Sequence, residues 1–143
     1  MTTSTTVERA INAARVIRNE LLHRSDMPRN LAGQCGLASM HVAKSLRDLS
    51  VLRVGFYMKR GRFYGRPGRY PHLHAWCQIH DTIVDSTATQ FGHRHAVYVK
   101  SAASQDRYIE TASARDALHE IMVHWRGHAL PEYARLARQL WYC

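Results

Sequence analysis

The chain has 143 residues, 45% of them hydrophobic, which is enough for one domain with a buried core. No apolar run approaches the ~20 residues of a membrane span, and "MTTSTTVERA" lacks the basic and apolar regions of a secretory signal. A formal charge of +9 favours acidic partners, whether protein, nucleic acid or an anionic membrane surface.

The elements follow in chain order. Thr5 and Glu8 are spaced as a capping box, and Val7, Ile11, Ala14, Ile17, Leu21 and Leu22 recur at helical spacing behind them. "RSDMPRN" ends that helix. A second helix opens in "GQCGLASMHVAKSLRDL", with Leu37, Val42, Leu46 and Leu49 as its apolar stripe and Cys35 in its first turn. "VLRVGFYM" then reads as a strand, "KRGR" as a turn, "FYG" as a return strand and "GRPGRYP" as a loop. "LHAWCQI" alternates, with Leu73, Ala75, Cys77 and Ile79 on one face and His74, Trp76 and Gln78 on the other, polar face. "HD" is a hairpin turn and "TIVD" the return, and "HAVYVK" and "RYIE" are two further strands. "SARDALHEIMVHWRGH" and "PEYARLARQLWY" close the chain as helices, the second with Pro131 in its first turn. Residues 1–143 thus read as a single α+β domain, helices flanking a mostly antiparallel sheet.

An odd set of cysteines, Cys35, Cys77 and Cys143, argues against a disulfide framework and for a reducing compartment. The expected location is the cytoplasm of the producing cell, with export as an effector open to systems that read other signals. Cys77 belongs to the core stripe. Cys35 differs, because a helix N-terminus carries roughly +0.5 of a charge and favours a thiolate. Gly33 and Gly36 bracket it and allow a tight turn with close substrate approach. Free N–H groups of the first turn can receive an oxyanion, and Gln34 adds a side-chain donor.

A cysteine nucleophile needs a base, and the base needs an orienting group. With His80-Asp81 as a two-residue loop, Ile79 pairs with Thr82, Trp76 with Asp85 and His74 with Thr87. Asp85 then shares a face with His74, diagonal to it and within reach of the imidazole, with Trp76 beside them shielding the bond from water. Each residue taken alone has a plainer role: a small buried thiol, a core or surface histidine, a strand-end aspartate.

"GQCGLAS", "HLHAW" and "IVDSTATQF" together resemble the papain-like and transglutaminase-like cysteine enzymes. The pattern is most similar to papain-like bacterial toxin deamidases, with His-x-Trp followed by a strand ending Asp-x-Thr-x-x-Gln-Phe, here His74, Trp76, Asp85, Thr87, Gln90 and Phe91. The resemblance spans Gly33 to Phe91. It implies a papain-like core, Cys35 as nucleophile, His74 as base, Asp85 as orienter, and Gln90 near the site, polarising the substrate or holding the triad. It also implies acyl transfer through a thioester on a protein or peptide substrate, with no cofactor, ending in hydrolysis, deamidation or transamidation. In one respect the chain departs from papain-like proteases: their oxyanion Gln lies several residues before the Cys, whereas Gln34 directly precedes it.

Two other chemistries compete. His72, His74, Cys77, His80, His93 and His95 are potential zinc ligands, but no CxxC is present and strand alternation turns Cys77 away from His74. Residues 57–70 interleave Lys59, Arg60, Arg62, Arg66 and Arg69 with Tyr57, Phe63, Tyr64 and Tyr70. That mixture suits either a nucleic-acid-binding module or a basic rim that guides an acidic substrate.

Overall fold

The computed structural model describes residues 3–28, 31–125 and 130–143. The fold is α+β. Helices α1 (Thr3–Leu22) and α2 (Cys35–Leu46) come first. Strands β1 (Leu52–Phe63), β2 (Arg66–Ile79), β3 (Thr82–Asp85), β4 (Tyr98–Ser101) and β5 (Tyr108–Ser113) follow, and helices α3 (Ala114–His124) and α4 (Leu130–Leu140) close the chain. The strands form one antiparallel sheet in the order β4-β3-β2-β1-β5. No helix among the described residues is long and apolar enough to cross a membrane.

The helices cover one face of the sheet. α2 is central and buried from Cys35 to Met40, and its small residues Gly36, Ala38 and Ala43 let neighbours approach closely. Gly36 serves that packing: a Cβ there would meet Ile121 at 3.1 Å and Trp125 at 3.2 Å, so its role is against α3 rather than toward a substrate. Ala75, Cys77, Ile79, Val54 and Val84 face these helices. Burial of this continuous apolar layer is the main drive to fold. The other face carries a second cluster of Tyr57, Trp76, Ile83 and Tyr108, against which Phe91 and Tyr98 pack. His74 therefore lies on a covered aromatic face, fully buried, and not on the polar face that alternation suggests.

Two other expectations are corrected. α1 is helical from Thr3, so Thr5 stands inside the helix and is not its N-cap. "KRGR" is not a turn and "GRPGRYP" is not a loop, because β1 and β2 pair without interruption from Leu52–Cys77 out to Phe63–Arg66. Only Tyr64 and Gly65, at φ 50° and 76°, leave the ladder, and two central residues with positive φ are what a tight hairpin needs. Pro67 and Pro71 are tolerated because β2 pairs with β3 only at Cys77–Ile79, which leaves their edge without a strand partner. His128 lies outside the described residues, and His124 pairs with Glu120.

One glycine positions the rest. Gly55 pairs with His74 on one side and Glu110 on the other, where the β1–β5 register shifts. A Cβ there would collide with the Ile109 carbonyl, so only glycine lets β5 close on β1 and bring in Tyr108. Gly55→Ala is expected to cost ~3 kcal/mol, or ~10 °C in Tm, read by thermal unfolding. An unchanged Tm would show that β5 is held some other way.

Candidate active site

The turn before α2 is built from Leu31 (φ 56°) and Gly33 (φ 77°), with Gln34 N–H bonded to the Leu31 carbonyl at 3.0 Å. Gln34 is the N-cap, but its side chain makes no capping bond, and the first turn holds no acidic residue. Cys35 is thus the first helical residue at an uncompensated positive end of α2. Cys35 is 2% exposed and belongs to the hydrophobic core, while Ala32 and Gly33 just before it are exposed and Gln34 is half-buried. Burial, and then nearness to Cys35, raises the pKa of the Tyr133 hydroxyl from α4.

β2 and β3 are joined by the two-residue turn His80-Asp81, and Ile79 pairs with Thr82. The ladder continues to Cys77–Val84, one step short of Trp76 and Asp85. This register carries Asp85 onto the face of His74, where Nε2 of the ring donates to Oδ2 of Asp85 at 2.7 Å. His74 Nδ1 makes no hydrogen bond of good geometry. Cys35 is near enough to raise the pKa of the ring, but no hydrogen bond joins its sulfur to it. With Nε2 occupied, that interaction falls to Nδ1. A loose contact of this kind is usual for an empty nucleophile–base pair.

Electrostatics distinguish this cluster from an ordinary core histidine. Burial favours the neutral ring, but Asp85 and then Cys35 outweigh it, raising the His74 pKa to about 10. Burial also pushes Asp85 up. The His74 charge and hydrogen bonds from His74, Tyr108 and the Thr87 N–H reverse this and hold Asp85 below its ordinary value. Both shifts favour the imidazolium–carboxylate form of the pair. Thr87 N–H donates to Asp85 Oδ1 at 2.9 Å, and the Tyr108 hydroxyl donates to Oδ2 at 2.6 Å. Burial makes any missing partner costly, which is why the carboxylate is so fully bonded.

Trp76 stacks on His74 at 6.0 Å between centroids and 20° between planes. It is 1% exposed, buried beside the His74–Asp85 bond. Gln90 is also fully engaged: its Oε1 accepts from the Gly33 N–H at 3.5 Å and its Nε2 donates to Thr87 Oγ1 at 3.2 Å. It ties the Cys35 turn to the Asp85 loop. Cys77 is structural, donating to the Ser39 carbonyl at 3.5 Å. Among the described residues, no three His, Cys, Asp or Glu side chains converge as metal ligands would.

Two residues of this site are absent from the sequence-based reading. Tyr108 comes from β5, and nothing in "RYIE" marks its hydroxyl as a partner of Asp85. Arg18, 9% exposed, donates to the Ser86 carbonyl at 2.8 Å and clamps α1 to the residue after Asp85. It did leave a signal: position 18 falls on the stripe of Ala14 and Leu21, where a lone arginine needs a buried acceptor. Comparison with family models, curated proteins and solved structures finds no match. The chemistry of the site is therefore argued from its own geometry.

Proposed function

We propose that the protein is a cysteine-dependent amide hydrolase or acyltransferase of the papain-like and transglutaminase-like kind. The observation that carries this is the join at His74: one nitrogen is held by buried Asp85, and the ring also interacts with a thiol at the positive end of a helix. In the forward step, Cys35 Sγ attacks the carbon of a carboxamide, and the N–H groups at the start of α2 face the oxyanion. The C–N bond breaks as the His74 imidazolium gives its proton to the leaving nitrogen, and ammonia or an amine departs from a thioester. Neutral His74 then takes a proton from water, or from an acceptor amine, as it attacks the thioester. Cys35 leaves with a carboxylate or a new amide as product. Asp85 keeps the ring oriented throughout and balances its charge. Protein glutamine deamidation, peptide hydrolysis and transamidation share this path, and the +9 charge favours an acidic protein or peptide substrate.

The test uses a Cys143→Ser background, since Cys143 is exposed and would react as a bystander. After brief treatment with iodoacetamide at neutral pH, intact mass and peptide mapping should find one adduct, on Cys35. Cys77 should stay unmodified, because burial raises its pKa and removes its thiolate. His74→Gln should slow the Cys35 adduct by at least ~10-fold. Modification of Cys77 in preference to Cys35, or a rate indifferent to His74, would overturn the proposal.

A further inference from the structure

Beyond Tyr57 on one strand and His72 on the other, β1 and β2 leave the sheet together. β5 pairs with β1 only at 53–57 and β3 with β2 only at 77–79, so residues 58–71 form a free two-stranded ribbon about 20 Å long. It carries five cations and no carboxylate. Arg69 pairs with Asp106, whereas Lys59, Arg60, Arg62 and Arg66 have no carboxylate partner among the described residues.

The two faces of the ribbon differ. The pairs Tyr57–His72, Lys59–Tyr70, Gly61–Gly68 and Phe63–Arg66 share one face. Two opposed glycines in an unsupported ribbon are expensive, since each weakens a strand that has no neighbour to steady it. The Tyr70 ring covers Gly68, with its atoms 3.4 to 3.8 Å from where a Cβ would be, but nothing lies within 4 Å of a Cβ on Gly61. The result is a bare floor at Gly61, walled by Phe63 and Tyr70, in a trough of about 530 Å³ that reaches His72. A strand glycine with open space over it marks a place where a flat group can lie against the backbone. Phe63 and Tyr64 at the tip are 60% and 91% exposed, and among the described residues their ring contacts are with each other and, for Phe63, with Tyr70.

We propose that this ribbon is a second binding site, for single-stranded nucleic acid. Bases stack in the Gly61 trough against Phe63 and Tyr70, and the unpaired cations hold the phosphates. An acidic peptide meets the charge but not the rest. An extended peptide gains much of its affinity by adding a strand, and Pro67 and Pro71 remove donors from the free edge of β2. A duplex keeps its bases stacked on one another and cannot offer a ring to the trough.

The test is fluorescence anisotropy of the full chain with a labelled oligothymidine of about 15 nucleotides. Affinity should fall with salt, by about 0.7 in log–log slope for each phosphate held, and K59Q/R66Q, the two unpaired cations on the face of the trough, should flatten that slope by about 1.4. Gly61→Val adds bulk where there is room for it and Phe63→Leu removes a ring. Each should lower affinity ~10-fold with the slope unchanged. If Gly61→Val alters Tm, Phe63→Leu carries the comparison. Cys35→Ala should bind as wild type, so the result is independent of the proposed chemistry. Unchanged affinity in both trough variants overturns the site. So does binding of a duplex, or of a polyglutamate of equal charge, as tightly as the single strand, or loss of binding in Cys35→Ala.

Discussion

Cys35→Ala is expected to abolish ammonia release from glutaminyl peptides, or amine release from peptidyl anilides, by at least ~10³-fold relative to wild type. The variant loses the sulfur that acts on His74, the nucleophile of the proposed reaction. His74→Gln should cost a comparable factor. A neutral amide neither accepts the thiol proton nor returns it to the leaving nitrogen, and positioned acid–base groups contribute ~10²–10⁴. The double variant should be little worse than either single one, because residues that act as a unit are not additive. Asp85→Asn should fall between ~10² and 10⁴, since the ring loses both its orienting acceptor and its counter-charge. Comparable losses in the three single variants, with far-UV circular dichroism unchanged, identify one machine. Wild-type turnover by Cys35→Ala would mean the chemistry lies elsewhere.

Much of this site is local in sequence, and that part was legible. The position of Cys35 in the first turn follows from an apolar period that begins just after two glycines. The His74–Asp85 pairing follows from parity: a two-residue turn at His80-Asp81 fixes which side chains share a face, and the observed pairs Cys77–Val84 and Ile79–Thr82 keep that parity. What could not be read depends on which strand lies beside which. β5 is the last strand in the chain but flanks β1, so Tyr108 reaches Asp85 through a sheet order that no local pattern encodes. The same order explains Gly55, which looks like an ordinary strand glycine until Ile109 is placed against it. Alternation puts His74 on the polar face of its strand because it distinguishes two faces, not whether the second is covered. Here Phe91 meets His74 edge-on at 4.9 Å and Tyr57 and Tyr108 close around it. The ribbon was misread for a compositional reason: glycine, proline and arginine are common in loops, and only backbone pairing shows that they lie in a ladder.

The buried ion pair should also leave a pH signature in stability. His74 rises from its ordinary 6.5 to about 10 in the folded protein, so its contribution is complete below about 6.5 and is lost as pH climbs toward 10. Asp85 is lowered from 3.8, so its contribution is complete above that value and is lost as pH falls through its folded pKa. Together they stabilise most between about 4 and 6.5. The comparison that isolates this is wild type against His74→Gln/Asp85→Asn, which keeps shape and hydrogen-bonding capacity while removing both titrations. A single substitution would leave a lone buried charge with a new pH dependence of its own. The difference in unfolding free energy, from urea titrations, should shrink by ~1.4 kcal/mol per pH unit between about pH 7 and 9.5, the slope of one proton. Its absolute sign at pH 6 is not the diagnostic, because an uncharged pair of the same shape can be as stable as a buried ion pair. The slope is. Below about pH 4 the difference should shrink again as Asp85 takes up its proton. A difference that stays flat from pH 5 to 9 would mean that folding leaves the His74 pKa unshifted, so that the ring is largely neutral above pH 7. It would also remove the imidazolium from which the proposed reaction draws its proton.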